Sequence, residues 1–366
     1  MNKLLSTIFL SGFSILITIK VQAQGCVALR GSGTSCVMAH ADEDQADKWI
    51  FNMGGRYFKS YKHFKGREEQ KERVEQGTEV INHQTAIDLT LTRILDDRWS
   101  VMIDVPLLFN ARSSLYEHGL VNGRNTFNER HSMHSYGLGD IRIAVYRWLL
   151  NPRKVTRGNI QAGLGIKFAT GDYDYKDYWY NVGPGGAKEL RTVDQSIQLG
   201  DGGTGISTEI NAYYNISHHF GSYLNAYYLI NPREQNGVRT YRETLSPALA
   251  NEAIMSVPDQ YMFRAGLTYS ASNFTASAGA RLEGIPVHDL VGGSGDFRRP
   301  GYVWSVEPGV AYRLKKVNLY ATVPVAFVRN RTQSVTDKER STPTNKVNGD
   351  AAFADYVVNV GFSVRF

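Results

Sequence analysis

Beyond residue 23 the chain has no apolar run approaching the roughly 20 residues that a membrane-spanning helix needs. Lysine and arginine nowhere gather into a run or a basic helix face, and the formal net charge is only +6. That removes the electrostatic footprint of a nucleic-acid partner. Cysteine is scarce, with Cys26 and Cys36 alone in 366 residues and His40 the one imidazole near them. Two thiols and one imidazole make a poor metal site, so in an exported chain they are expected to form one local disulfide. No Gly-x-Ser-x-Gly elbow occurs. Gly200-Asp201-Gly202-Gly203-Thr204-Gly205 has the glycine spacing of a dinucleotide loop, but an alternating strand follows it where a pyrophosphate-binding helix would be needed. No cofactor is expected.

Aromatic and flexible residues are plentiful: 21 Tyr, 16 Phe and 35 Gly, a balance that suits β-structure with aromatic belts and turns. Residues 1–23 place Lys3 before an apolar stretch and end in Val21-Gln22-Ala23, the pattern of a cleavable export signal. Residues 24–48 carry the cysteine pair and the acidic Asp42, Glu43 and Asp44 without any strand pattern. They are expected to be a periplasmic segment or a plug, with the barrel proper spanning 49–366.

From Trp49 onward the chain divides into segments of about ten residues that alternate apolar and polar, for example Tyr261, Phe263, Ala265 and Leu267 against Met262, Arg264, Gly266 and Thr268. Period two with one apolar face marks half-buried strands. Short connections (Asp96 to Arg98, Asn151 to Gly158, Ser217 to Phe220, Ser272 to Asn273, Lys315 to Lys316) alternate with long ones, such as Tyr61 to Gln84, Asn110 to Ser135 and Thr170 to Gly203. Segregation of turns and loops to opposite ends is what a membrane barrel does. The expected fold is therefore all-β, an antiparallel up-and-down transmembrane β-barrel of about 12 strands. Trp49, Trp99, Trp148, Tyr214, Tyr228, Tyr261, Tyr302 and Trp304 near strand ends are candidates for two interfacial girdles. Pro308 and Pro324 predict weakened pairing where they fall.

The last strand, Asp355 to Phe366, ends in phenylalanine and resembles the closing strand of bacterial outer-membrane barrels, which the barrel-assembly machinery reads. It is expected to pair with Trp49 to Lys59, which would put both termini in the periplasm and the long loops outside the cell. Outer-membrane lipid and a small-molecule solute are the other expected partners.

Candidate functional residues come from the polar faces. Arg56, Asp88, Asp104, Asp140, Arg142, Lys167, Glu209, Arg264, Arg281, Glu283 and Glu307 fall on the predicted lumen side, some two residues apart with opposite charge, as in Asp140 with Arg142 and Arg281 with Glu283. They read as ion pairs between staves, as a constriction that selects solutes, or as both. In the third long loop Asp172, Tyr173, Tyr175, Tyr178 and Trp179 combine carboxylate and aromatic faces that suit an aromatic solute or a sugar. The expected activity is passive uptake of a small solute. The alternatives are a barrel-embedded hydrolase, for which His134 and Ser135 near the outer rim are the candidates, and a closed structural or adhesive barrel that works through its loops.

The stretches Tyr136-Gly137-Leu138-Gly139-Asp140-Ile141-Arg142, Gly163 to Gly171 and Leu199-Gly200-Asp201-Gly202 resemble those of the MetA-pathway phenol-degradation barrel family, related in outline to the long-chain fatty-acid transporters. The resemblance covers roughly the middle third of the chain. It implies an outer-membrane channel for hydrophobic or aromatic compounds.

Overall fold

A computed structural model describes residues 48–366 apart from 116, 122–123, 126–128 and 241–244. The expected export signal, the segment 24–47 and the Cys26–Cys36 pair lie outside the described residues.

Twelve antiparallel staves close into a barrel. They are β1 (Trp49–Lys65), β2 (Ile81–Ile94), β3 (Trp99–Ser114), β4 (His131–Leu138 and Arg142–Trp148), β5 (Gly158–Lys167) and β6 (Gly205–Asn215). The second half runs β7 (Phe220–Ile230), β8 (Gln260–Ala271), β9 (Phe274–Ile285), β10 (Gly301–Leu314), β11 (Val317–Thr322 and Val325–Asn330) and β12 (Ala351–Ala354 and Val358–Arg365). Each stave pairs with its neighbours in sequence, and β12 returns to β1 with Asn52 opposite Ser363 and Tyr57 opposite Val358. The seam is tied off by reciprocal bonds between Trp49 and Phe366, at 2.9 and 3.0 Å. Closure satisfies the backbone of every stave and leaves no edge.

The period-two pattern sorts the side chains. Ile103, Leu164, Ile210, Leu267, Val306 and Val360 stand on the outside, with Leu164 61% and Leu267 58% exposed. An aliphatic surface carried round a whole barrel is stable only against lipid. Tyr261 and Tyr269 bound this belt on β8; eight residues at a rise of ~3.4 Å and a tilt of about 40° separate them by roughly 21 Å, close to the height of a lipid-facing band. Trp49, Trp99 and Tyr214 line the short-turn border, while Tyr228, Tyr261, Tyr302 and Trp304 sit at the long-loop border. Trp148 corrects the expectation of a girdle residue. It shares the inward face of β4 with buried Ala144 and Tyr146, and lies edge-on to Tyr213 with ring centroids 5.9 Å apart.

The wall is taller than the membrane. β1 has 17 residues, β2 14 and β3 16, against the 9–11 a tilted strand needs. The expected loops 61–84 and 110–135 therefore shrink, because pairs such as Ser60 with Asn82 and Ser113 with Ser132 continue the ladders upward. Those extensions are mostly polar, with Phe64 and Met133 turned into small apolar clusters, and their alternation is too broken to read as strand.

Three staves are interrupted. β4 breaks after Leu138, one residue past Gly137 (φ 148°), and Gly139 there donates to the Pro106 carbonyl at 2.8 Å. β11 breaks at Val323-Pro324 and β12 at Asp355 to Val357. Val323 donates to Pro308 and Val357 to Pro324, both at 3.0 Å. The N–H missing at Pro308 falls where β11 has drawn away, and its pairing with β9, opposite Ala278, is continuous.

Candidate functional site

The third long connection, 168–204, first forms a small hairpin of Lys176–Trp179 with Glu189–Thr192. It then turns inward. Gln84 donates to the Ser196 carbonyl at 2.6 Å, Asn110 to the Ile197 carbonyl at 3.4 Å, and Ser135 to that same carbonyl. Gln84, Asn110 and Ser135 belong to the inward faces of β2, β3 and β4, so residues 194–201 run inside the barrel mouth. On the far side Gln195 donates to the carbonyls of Ser256 (3.0 Å) and Phe297 (3.3 Å), in the loops before β8 and after β9. The segment is a bar across the opening.

One end of the bar is fixed by Asp194, which is fully buried. Its carboxylate takes both guanidinium nitrogens of Arg299, at 3.0 and 2.7 Å, with Arg112 at 3.4 Å and the Ser196 amide at 2.9 Å. Burial alone pushes such a carboxyl up; the two guanidinia and the Ser196 bond outweigh it and hold Asp194 far below the ordinary range. Arg112 also pairs with buried Glu117.

The other end is fixed by Asp140. The amides of Gly171 (3.0 Å) and Asp201 (3.2 Å) donate to its two oxygens, while Lys167 reaches Asp140 at 3.5 Å and also pairs with Asp201. Thr170 closes the β4 break, accepting from the Ile141 amide and donating to the Gly139 carbonyl, each at 2.8 Å. The three glycine-rich stretches that carry the family resemblance thus meet at one node. Gly200 is required there: a Cβ would stand 2.6 Å from Asp140 Oδ1 and 2.7 Å from the Gly171 carbonyl oxygen.

Two cavities lie at the mouth, the second of them against the bar. One of about 140 Å³ is lined by His63, Arg112, Glu117, Arg299, Arg331 and Asp350, among others. The other, about 130 Å³, has Gln195, Gln198, Asp201 and Arg298 beside Met255, Pro258 and Ile285. Arg299 lines both. Asp350 in the first accepts from His63 at 2.8 Å and pairs with Arg73. Burial raises its carboxyl, and those partners draw it back down below the usual range.

Below the bar the predicted lumen residues face inward and form two clusters. Glu209 receives Tyr146 (2.8 Å), Asn211 (3.2 Å) and Arg142 (3.4 Å). Glu307 bridges Arg264 (3.1 Å) and Arg281 (3.5 Å), which stand directly opposite each other on β8 and β9, and Arg281 also reaches Glu283 at 2.8 Å. Asp104 accepts from Thr90 at 3.0 Å. Arg56 and Asp88 lie on the same inward face. Of the two close-spaced pairings, Arg281 with Glu283 forms. Asp140 and Arg142 part, one to Lys167 and the other to Glu209, because the β4 break lies between them.

The aromatic loop residues do not share one face. Trp179 is buried with Met133, Val193 and Ile197 in the hairpin's own core, and Tyr175 packs against it. Tyr178 is exposed with Lys188 over its ring at 4.3 Å, Tyr173 lies under Arg233 at 6.0 Å, and Asp172 caps its turn by accepting from the Asp174 amide at 2.9 Å. His134 and Ser135 are neighbours on a strand and point to opposite sides. Ser135 is buried toward the bar and His134 is exposed, 3.7 Å from Asp177, so they cannot act as nucleophile and base together. Asp194 and Arg299 escaped sequence reading because they lie 105 residues apart; only the Asp194-x-Ser196 turn left a local trace.

No family model matches the sequence, and no curated protein does. Among solved structures, an outer membrane channel from Pseudomonas putida F1 superposes with a TM-score of 0.54 at 10% identity, covering 89% of this chain and 99% of that one. The fold is that of an outer-membrane β-barrel. A FadL homologue from Pseudomonas aeruginosa (TM-score 0.40, 10% identity, 94% of each chain) and a toluene transporter from Ralstonia pickettii (0.40, 8%, 88% of this chain and 90% of that one) are more distant. At such identities likeness extends to the fold alone.

Proposed function

We propose that the barrel is an outer-membrane channel for passive uptake of a small solute of hydrophobic or aromatic character, with the bar 194–201 as its constriction. The observation that carries this reading is the cavity that Gln195, Gln198 and Asp201 of the bar line together with Met255, Pro258 and Ile285. A cavity of about 150 Å³ holds benzene in another protein, so the one of about 130 Å³ against the bar has room for one ring. Its mixed lining, with Met255, Pro258 and Ile285 beside Gln195 and Gln198, suits a ring bearing a polar substituent. In this reading the short turns and both ends face the periplasm, the inward charges tune which solutes pass, and residues 24–48 lie at the periplasmic mouth or plug it.

Planar-bilayer recording on the full chain, on a chain lacking 24–48 and on the Asp194→Asn, Arg299→Gln double variant tests the reading. Discrete conductance is expected, rising in the double variant because the bar loses its anchor. Silence of all three would refute a channel. Liposome swelling with a monocyclic aromatic and with a sugar of similar size then ranks the solutes, and equal entry of both would refute the aromatic preference.

A further inference from the structure

At the short-turn end, aromatic rings and arginines repeat on three consecutive hairpins. Trp49 of β1 stands opposite Arg93 of β2, with the guanidinium 4.8 Å from the ring centre. Trp99 of β3 stands opposite Arg147 of β4, at 5.1 Å. Tyr214 of β6 stands opposite Gly158 of β5, and Arg157, the preceding residue, lies 5.3 Å over its ring. The three rings are 36%, 40% and 45% exposed, on the outer face where the apolar belt ends.

A guanidinium stacked on such a ring is held at the depth of the lipid headgroups. Among the described residues none of the three arginines forms an ion pair. In the adjoining turns Asp96 accepts from the amides of Arg98 (2.7 Å) and Trp99 (2.8 Å) and also acts on Arg147 through charge, while Asp97 pairs with Arg153. The adjoining turn adds Lys154. On the opposite arc the equivalent positions hold aromatic pairs, Phe220 with Tyr269 and Phe274 with Tyr312. The three ring–arginine stacks named above lie on β1–β6.

We propose that this arc is a binding surface for anionic phospholipids in the leaflet at the short-turn end, each stacked arginine taking a headgroup phosphate. Arginine suits the role because its planar fork matches phosphate oxygens while its face rests on the ring. A zwitterionic lipid also offers a phosphate, but its ammonium cancels the field that favours an anionic one. The inference rests on the barrel lying in a bilayer and is independent of whether it conducts.

The test is tryptophan quenching by brominated lipids in vesicles of phosphatidylcholine with one part in five phosphatidylglycerol, the bromine being carried on one lipid or the other. Trp304→Phe removes the outward indole of the opposite border. Brominated phosphatidylglycerol is expected to quench out of proportion to its share, with a preference of roughly fivefold per guanidinium. Arg93→Gln, Arg147→Gln and Arg157→Gln together should abolish that preference. Lys188→Gln, on the long-loop side, should leave it intact. Equal quenching by both lipids in the unsubstituted arc, or a preference that survives the triple variant, would overturn the proposal, as would full suppression of the preference by millimolar inorganic phosphate. A heat-shifted band on unboiled gels verifies insertion in each sample. Failure to insert in any vesicle would instead count against the membrane reading itself.

Discussion

Glu307 holds apart two arginines that the register of β8 and β9 forces to face each other. Arg264 and Arg281 are directly cross-strand, an arrangement that repels unless a carboxylate lies between them. Removing one partner from a buried cluster leaves charge uncompensated, at a cost of about 3 kcal/mol or more. Glu307→Gln is therefore expected to lower the denaturation midpoint in urea and to shift any conductance toward anions; an unchanged midpoint would show that the cluster is not stabilising. A second residue-scale prediction concerns His118, 1% exposed beneath the long loops, where its Nδ1 accepts from the Tyr180 amide at 3.1 Å. Burial, then His131 and Arg112, lowers its pKa to about 4. The folded state thus favours the neutral ring, and the unfolded chain takes up the proton first. Stability from this group is full above about pH 6.5 and is lost as pH falls toward 4. Protection of the amides in residues 176–192, after correction for the intrinsic pH dependence of exchange, should fall between pH 6.5 and 4, and His118→Gln should flatten that dependence.

The bar 194–201 is the element on which the proposed function turns, and its two anchors differ. Asp194 is held by side chains, Asp140 largely by backbone amides packed against glycine. Gly200→Ala puts a methyl group into the Gly171 carbonyl and the Asp140 carboxylate, neither of which can retreat without breaking the bridge to β4. The expected outcome is a less stable constriction, seen as faster proteolysis within 168–204 and higher conductance, with the barrel band on gels unchanged. Collapse of the barrel band instead would mean that the node supports the wall rather than the bar. At this scale the sequence was informative about the node and mute about its purpose: Gly139-Asp140, Gly171 and Gly200-Asp201 stood out as motifs, yet their convergence needed three segments to fold together. Asp194 and Arg299 offered no such mark, since a lone aspartate and a lone arginine in two loops look like any solvated charge.

For the whole molecule, the closing strand is the critical contact. Residues 358–365 pair with β1 on one side and β11 on the other, so their loss leaves two unpaired edges in lipid, each orphaned group costing several kcal/mol. A chain ending at 357 is expected to show no heat-shifted band; a normal one would contradict the observed closure. The staves themselves were legible because a strand between lipid and interior must alternate. Their upper boundaries were not, since above the lipid β1 to β4 are mostly polar with scattered apolar residues such as Phe64 and Met133, and the period fades. Trp148 was misplaced for a related reason. At a strand end, residue type suggested the girdle, but its parity with Arg142, Ala144 and Tyr146 decided the face.

The sequence by itself determined the stave count, the closure of the last strand on the first, and which charges turn inward, because each follows from a local period that lipid imposes on every strand. Tertiary structure alone decided that the mouth is crossed by residues 194–201, that Asp140 joins three distant motifs, that the loop tyrosines disperse, and that arginines stack on rings along the β1–β6 rim. These depend on which strands stand beside one another and on where a long loop lands, and neither is written in a pattern shorter than the barrel.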